Sequence, residues 1–340
     1  MRLLPYVIRR LVLAIFVLWG VVTITFLLSH LIPGNPIEAL LGRAATSHPD
    51  LVAKLSAQYH YNDPIYIQYY YYIVNVLQGN LGYSTSRGFL PVAQVIEQTF
   101  PFSLQIASFA FVIAMGFGIL LGALAARYSH KPIDHSIRAF YLAGVSSPAF
   151  FVALIFLIVF TYYFRLLPAS GAVATGIAPP TPITGIPMLD AALELNGTYL
   201  LSALDHVILP SLALAVGAFG VVVRILRASI LQVLQSNYIR TARAKGVAEG
   251  TVFFRHAMRN ALMPVVTLSS LILYGLVSGT LFVENIFSYP GMGQYVVGAI
   301  AAEDYPGVLA TTLVYAAVIV IANLVVDLLY VVVDPQVRLG

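Results

Sequence analysis

Six long stretches of this sequence carry almost no charge, and each is long enough to cross a membrane. A bilayer has a hydrocarbon core about 30 Å thick and an α-helix rises about 1.5 Å per residue, so a crossing helix needs roughly 20 apolar residues. Backbone groups in lipid must be satisfied inside the segment, which a helix does and a lone strand does not. The short alternating pattern of barrel strands is absent. We therefore predict an all-α integral membrane protein with six transmembrane helices at residues 11–32, 104–126, 139–164, 207–223, 261–283 and 308–333.

The overall composition excludes the other broad classes. Of the 340 residues 59% are hydrophobic and only 9% are charged, whereas a soluble domain carries about 25% charged residues. Disordered chains combine low hydrophobicity with high charge, which is the opposite balance. The chain has no cysteine, so disulfides and thiolate metal sites are excluded as well.

A seventh apolar stretch, 286–302, does not qualify as a span. It is interrupted by Pro290, Gly291 and Gly293, and it has acidic residues and no basic anchor at its ends. Such a stretch fits a short surface or re-entrant element better than a helix that crosses the bilayer. We predict an outer re-entrant or surface segment over residues 284–307.

The distribution of basic residues predicts the side that each loop faces. Fourteen of the 18 Lys and Arg residues fall in one set of alternating segments, which the positive-inside rule assigns to the cytoplasm. This set contains the amino-terminal stretch 1–10, the loop 127–138, the loop 224–260 and the carboxyl-terminal tail. Both termini are then cytoplasmic, and the outer segments are 33–103, 165–206 and 284–307.

The sequence contains no pattern for catalysis or cofactor binding. None of its three lysines follows a glycine, which excludes the phosphate-binding loop G-x-x-x-x-G-K-[ST]. The seven histidines form no H-E-x-x-H zinc motif, and no G-x-S-x-G nucleophile elbow occurs. We expect this chain to have no enzymatic activity, no cofactor, no metal site and no nucleic-acid partner.

The loop 224–260 is the most informative segment, because it has seven basic residues and a single acid. Ala, Arg and Leu predict helix on both sides of Gly246, so we expect two short helices that meet at a bend. One interpretation is a solvated basic loop that only sets topology. Small residues beside the glycine favour instead a helix that enters a groove of a partner protein, and we assign this contact to Thr241, Ala242, Arg243, Ala244, Lys245, Gly246, Val247 and Glu249.

Two polar residues lie inside the last predicted span. Asn323 and Asp327 are four residues apart and therefore project from one helix face. A carboxylate in lipid is costly, and Asp327 is closer to the cytoplasmic surface than to the midplane. We favour a structural ion pair with an arginine, Arg224 or Arg227, over a proton-relay role.

Two other patterns have both a structural and a functional interpretation. Eight of the 21 tyrosines lie in residues 33–103, where an aromatic belt at the lipid headgroups is favoured over a docking or sugar-stacking surface. Gly118 and Gly122 have the small-xxx-small spacing that lets helices approach closely, and we favour packing within the bundle.

Several separated blocks of the sequence carry a resemblance to a known family. They are RRL (9–11), IPGNP (32–36), LQGNLG (77–82), YIRTARAKG (238–246), FRHAMRNALMP (254–264), FVE (282–284), FSYPGMG (287–293), NLVVDLLY (323–330) and DP (334–335). These blocks are similar to those of ABC-importer permeases of the dipeptide, oligopeptide and nickel branch. The likeness extends from about residue 4 to residue 338, so it covers nearly the whole chain.

The resemblance implies a type I ABC-importer permease with six spans. Its implied partners are a second homologous permease subunit, two ATP-binding cassette subunits that use ATP and Mg, an extracytoplasmic solute-binding protein and membrane lipid. The sequence departs from the pattern twice. Arg240, Thr241 and Ala242 stand where many such permeases have Glu-Ala-Ala, so no acidic contact is expected there, and the Pro- and Gly-rich stretch 169–196 is longer than in typical members.

Short peptides are the cargo that the resemblance favours, and the cytoplasmic membrane is the expected location. Oligosaccharides are the first alternative, because the aromatic faces of a tyrosine-rich outer loop bind sugars. Nickel is less favoured, because His30 is the only histidine inside a predicted span. A self-contained secondary transporter is the last alternative, and the internal repeats and discontinuous helices that it requires are not evident in the sequence.

Overall fold

The computed structural model describes residues 3–31, 50, 53, 56, 60 and 62–333, and in the first and last helices it describes the side chains of residues 8–28, 30 and 305–325. The prediction of an all-α protein is confirmed, because the only strands in these ranges are β1 (Tyr83–Ser84) and β2 (Leu90–Pro91). The helices are α1 (Leu3–Leu31), α2 (Ile65–Leu77), α3 (Val92–Arg127), α4 (Pro132–Ser146), α5 (Ala149–Phe156, continued by a π-helical turn Leu157–Tyr163), α6 (Pro187–Leu193), α7 (Gly197–Leu234), α8 (Asn237–Ala244), α9 (Glu249–Thr251, Val252–Ala257 and Met258–Ala261 in succession), α10 (Met263–Ile286), α11 (Met292–Ala301) and α12 (Tyr305–Val333).

Among the described residues, five helical segments are long and apolar enough to cross a bilayer. They are Ile8–Leu28 of α1, the whole of α3, α7 and α10, and Tyr305–Val325 of α12. The predicted span 139–164 is not one helix, because α4 and the segment Ala149–Tyr163 meet at an angle of 107°. This corrects the prediction of a single continuous helix there, and the break was not evident in the sequence. If the bent pair is counted as one span, the described residues contain six candidate crossings.

Ser147 and Pro148 cause the break between α4 and α5. Ser147 has an extended backbone, with φ −97° and ψ 128°, as favoured for a residue before proline. Its N–H donates to the carbonyl of Gly144 at 3.2 Å, and its hydroxyl donates to the carbonyl of Ala143 at 2.8 Å. Two carbonyls at the end of α4 are thereby satisfied without a continuing helix. The span was predicted from a run of uncharged residues, and serine and proline are both uncharged. The run therefore could not reveal the break between α4 and α5.

Most helices extend beyond the predicted spans. Helix α3 begins at Val92 rather than at residue 104, and α7 covers Gly197–Leu234 rather than 207–223. Asn196 starts α7, since its side-chain oxygen accepts a hydrogen bond from the N–H of Tyr199 at 3.1 Å. The predicted loops 33–103, 165–206 and 224–260 therefore contain parts of the long helices as well as α2, α6, α8 and α9. An apolar run marks only the part of a helix that matches the hydrocarbon.

The described chain divides into two compact units, of which the larger comprises Phe102–Pro290 and the end of α12. Helix α7 is its centre and packs against α4, α5 and α10. A Cβ added to Gly118 of α3 would lie 2.5 Å from Cβ of Val222 in α7, and one added to Gly122 would lie 3.2 Å from Cβ of Leu226. The prediction that this glycine pair serves packing within the bundle is confirmed.

Glycines also set the distance between α4 and α7. A Cβ on Gly220 of α7 would lie 2.5 Å from a methyl carbon of Val145, and one on Gly144 of α4 would lie 2.9 Å from a methyl carbon of Val216. Real Cβ atoms do not approach other atoms so closely without a shift of the neighbour. Helix α7 therefore packs against both α3 and α4 at a distance that only a glycine at the contact allows.

The segment between α5 and α7 is ordered by hydrogen bonds although it is rich in proline and glycine. Asp190 of α6 is buried, and its Oδ1 accepts hydrogen bonds from the N–H and the hydroxyl of Thr184, both at 2.6 Å. Burial raises the pKa of the Asp190 carboxyl, but these bonds and those from the backbone of Ile183 and Gly185 outweigh it and hold the pKa below its usual value. Gly171 is joined to the end of α10, since its N–H donates to the carbonyl of Phe287 at 3.0 Å.

The smaller unit comprises Met1–Pro101 and Gly291–Leu324, and Asp304 joins two of its parts. The Asp304 carboxylate is fully buried between the β1–β2 hairpin and the start of α12. Its Oδ2 accepts hydrogen bonds from the hydroxyl of Ser84 and from the hydroxyl (2.7 Å) and N–H (3.2 Å) of Ser86. Its Oδ1 accepts one from the N–H of Gly307 at 3.1 Å, so Asp304 is also the N-cap of α12.

Helix α11 lies within the segment predicted to be re-entrant or superficial. It has 10 residues and is therefore about 15 Å long, which is half the thickness of the hydrocarbon core. Its Met292 and Tyr295 are buried and pack against Val92 and Val95 of α3. A helix of this length does not cross a bilayer.

Candidate functional site

Helices α8 and α9 form a small folded body at the end of α7. Ser236 has an extended backbone (φ −70°, ψ 153°) and turns the chain from α7 into α8. Three side chains, those of Ile239, Val252 and Ala257, are completely buried and form the core of the pair. The amide of Asn260 donates to the hydroxyl of Tyr238 at 2.8 Å and fastens the end of α9 to the start of α8. The two predicted short helices are therefore present and are packed against each other.

Gly246 ends α8 in a Schellman motif. The N–H of Gly246 donates to the carbonyl of Arg243 at 2.9 Å, and the N–H of Val247 donates to the carbonyl of Ala242 at 3.2 Å. This pattern requires a left-handed residue after the helix, and Gly246 has φ +77°. The bend predicted from the glycine thus has a defined geometry, and Val247 folds back towards the core of the pair.

Arg243 and Glu249 join the two helices on the opposite side of the turn. Nε of Arg243 lies 2.7 Å from Oε1 of Glu249, and Nη2 lies 3.2 Å from Oε2. Both side chains are exposed, at 41% and 69%, so this pair contributes no more than about 1 kcal/mol of stability. Its effect is to orient two side chains of the predicted contact surface towards each other.

The predicted contact residues divide into an outer and an inner group. Thr241, Arg243, Ala244, Lys245, Gly246 and Glu249 are exposed, whereas Ala242 and Val247 are half-buried and pack on the core of the pair. Around the turn, basic side chains are exposed at Arg240, Lys245, Arg255 and Arg259. The body therefore presents small side chains at its tip and a basic surround, which suits a partner surface with a shallow groove and acidic residues.

A buried ion pair beside this body was not predicted from the sequence. Asp134, at the start of α4, is fully buried, and its two oxygens accept hydrogen bonds from Nε and Nη2 of Arg227, each at 2.7 Å. The N–H of His130 donates to the same carboxylate at 3.0 Å. Arg127, at the end of α3, lies over the ring of Phe254 in α9, 5.6 Å from its centre. Two contacts thus connect the start of α4 to α7 and the end of α3 to α9.

The ion pair predicted for Asp327 stays a prediction. Of the two arginines considered for it, Arg227 pairs with Asp134. Arg224 is exposed and Asn323 is exposed. The side chain of Asp327 lies outside the described residues, although the backbone of α12 includes it. Four residues along one helix still separate Asn323 from Asp327, so they share a face.

Comparison with known proteins gives two matches to family descriptions. Residues 118–339 match the family described as the binding-protein-dependent transport system inner membrane component. Residues 3–106 match the amino-terminal part of the membrane component of such systems. Together the matches include both compact units and the α8–α9 pair.

Curated relatives are similar over nearly their whole length. The chain is 39% identical over 326 residues to the probable D,D-dipeptide transport system permease protein DdpB of Escherichia coli (strain K12), covering 96% of this chain and 95% of that protein. It is 36% identical over 338 residues, and 99% of each chain, to the dipeptide transport system permease protein DppB of the same strain. The di/tripeptide transport system permease protein DppB of Pseudomonas aeruginosa (strain UCBPP-PA14) is also 36% identical over 338 residues, again 99% of each chain.

Proposed function

The chain belongs to the family of binding-protein-dependent transport system inner membrane components, and on this premise we propose that it is a permease subunit of an ATP-driven importer for short peptides. It is a multi-pass protein of the cytoplasmic membrane. Its relatives named for dipeptide and di/tripeptide transport match it from end to end, which supports peptides as the cargo. A system of this kind includes a solute-binding protein and ATPase subunits as partners.

The assembly that we propose contains a second homologous permease subunit and two ATP-binding cassette subunits. In this assembly the ATPase subunits bind ATP and Mg²⁺, and this chain binds no cofactor. The basic segments, the α8–α9 pair and both termini face the cytoplasm, where the ATPase subunits are. The segments 165–206 and 284–307 face outward, where the binding protein docks.

The mechanism that we propose rests on the exposed turn at Gly246. ATP binding has to favour one permease conformation by a few kcal/mol, and a flexible loop would dissipate such a bias. The α8–α9 pair has its own buried core and a defined turn, and α8 follows directly on α7, the central helix of the larger unit. A displacement of the pair by the ATPase is then passed to α7, and the contacts of Arg227 and Arg127 pass it to the start of α4 and the end of α3.

Reconstitution of the complete importer in vesicles tests this function. We expect a dipeptide-loaded binding protein to stimulate ATP hydrolysis, and we expect uptake of labelled dipeptide to need both ATP and the ATPase subunits. Vesicles that lack the ATPase subunits are the control. Dipeptide uptake in the control vesicles, driven by an ion gradient, would show a secondary transporter and contradict the proposal. Stimulation by an oligosaccharide-loaded binding protein and not by a dipeptide-loaded one would refute only the cargo.

A further inference from the structure

Helix α2 has an exposed apolar face that the transport function does not explain. Its 13 residues include no charged side chain, and none of them is buried. Tyr66, Tyr70 and Leu77 are exposed at 70%, 63% and 81%. Their spacing of four and seven residues places all three on one face of the helix.

The other side of α2 lies along α1. The hydroxyl of Tyr69 is 2.6 Å from Oγ1 of Thr23, and the ring of Phe26 contacts those of Tyr69 and Tyr72 at centroid distances of 5.1 and 5.5 Å. Nε2 of His30 lies 2.9 Å from Oε1 of Gln68. These contacts cover one flank of α2 and leave the face of Tyr66 and Leu77 outward.

Thr23 gives the depth of this contact. It lies five residues before Leu28, after which the polar residues Ser29 and His30 interrupt the apolar run of α1, so it is about 7.5 Å inside that run. A helix that lies in the interface buries its apolar face about 5–10 Å into the boundary between headgroups and acyl chains. Tyr69 therefore positions α2 at the depth of an interfacial helix and not in bulk water.

We propose that α2 is an interfacial helix that lies in the leaflet at the carboxyl-terminal end of α1 and binds lipid through Tyr66, Tyr70 and Leu77. Tyrosine suits this position, because its ring is apolar and its hydroxyl reaches the headgroup water. The exposed side chains of Ile24, Leu27 and Leu28 continue the same kind of surface along α1. The inference does not depend on the cargo or on the ATP cycle.

A protein partner on this face is the rival occupant, and the chemistry of α2 favours lipid over it. A docking surface for a soluble binding protein has a polar, partly charged rim, whereas α2 offers no charged side chain along its length. Polar residues occur just beyond its ends, at Asp63 and at Gln78 and Asn80. The pattern is that of an uncharged helix between two polar boundaries.

Spin labels on single cysteines test the proposal, since this chain has no cysteine of its own and can be labelled before it is assembled with its partners. Tyr66→Cys and Leu77→Cys are labelled in the complete importer, reconstituted in vesicles of phosphatidylethanolamine and phosphatidylglycerol. Ile15→Cys, 66% exposed within α1, is the lipid reference, and Leu195→Cys, 90% exposed before α7, is the water reference. Collision rates with oxygen and with a neutral nickel chelate are measured, since oxygen concentrates in lipid and the chelate in water.

We expect the ratio of oxygen to chelate collisions at Tyr66 and Leu77 to be several-fold above that at Leu195 and to approach that at Ile15. A ratio equal to that at Leu195 would overturn the proposal. Labels that neither reagent reaches would also overturn it, because they would place the face inside a protein interface. Labels that are open to the chelate until the binding protein is added would identify a docking surface instead of a lipid contact.

Discussion

Within this chain, Gly246 is required for its backbone conformation and not for its small size. A Cβ added there would meet nothing within 4 Å, yet φ is +77°. From the sequence, a glycine at this bend could serve either a close approach of another group or a positive φ. Within this chain the positive φ is the reason that applies. A residue with a Cβ has to hold a left-handed backbone at this point or give up the bonds to Arg243 and Ala242.

Gly246→Ala should weaken the α8–α9 turn by about 1 kcal/mol, because an L-residue is disfavoured in the left-handed region. Gly250→Ala is the matched control, since Gly250 is also exposed and open but lies in the first helical piece of α9 without a positive φ. There alanine should be neutral or slightly stabilising. Hydrogen exchange at the Val247 amide measures the difference in the assembled importer, and equal exchange rates in the two variants would contradict the argument.

Single residues were predictable where a local pattern specifies them. The glycine turn follows from neighbours in sequence, whereas the pair of Asp134 and Arg227 joins positions 93 residues apart. One signal was present, because Asp134 is the only acid between Glu97 and Asp190 and stands in the first turn of a helix, where acids are favoured. Its arginine could not be chosen from the sequence, since several lie in the same basic segments.

At the scale of elements, a single carboxylate joins the β1–β2 hairpin to the start of α12. Asp304 accepts four hydrogen bonds, three from the hairpin and one from the first turn of α12. The hairpin has only two residues in each strand, which is too little for independent stability. Its position therefore follows from the attachment to α12.

Asp304→Asn should destabilise the smaller unit by about 2 kcal/mol, because the amide nitrogen cannot accept the N–H of Ser86 or of Gly307 and one buried donor loses its partner. Glu303→Gln neutralises the preceding residue, which is exposed, and should change stability by less than about 0.5 kcal/mol. Thermal unfolding in detergent and proteolysis at Arg87 in the hairpin measure the two variants. Equal melting temperatures for both would refute the role given to Asp304.

The elements also show where an apolar-run criterion fails. It located all the long helices, because lipid demands uncharged residues, but it stopped at the polar residues in the additional turns of α3 and α7. It also missed the bend at Ser147 and Pro148, because that break depends on backbone donors and not on hydrophobicity. The hairpin was invisible to it, since four strand residues form no periodic pattern.

At the scale of the whole molecule, the orientation in the membrane remains a prediction. Basic residues concentrate fourteen to four on one set of loops, and that asymmetry alone assigns the sides. The fold class and the family follow from long-range composition and from blocks of sequence. The division into two compact units could not be predicted in this way, because α3 and α12 each contribute to both of them.

Reporter fusions test this orientation. A reporter at Gly340 or within residues 247–251 should be active only as a cytoplasmic fusion, and one within residues 171–187 should be active only outside. The fusion within 247–251 controls for the tail, since both sites should behave alike. A tail reporter found outside would require an extra crossing at residues 286–302, where α11 has only 10 residues.

The glycines of the larger unit limit how this sequence can change over time. Gly118 leaves the space that Val222 fills, and Gly220 leaves the space that Val145 fills. A methyl group gained on one side of such a contact has to be lost on the other, because the two helices are already close-packed there. We therefore expect substitutions at these positions to occur only in pairs, so that the contact residues of α7 change together with those of α3 and α4.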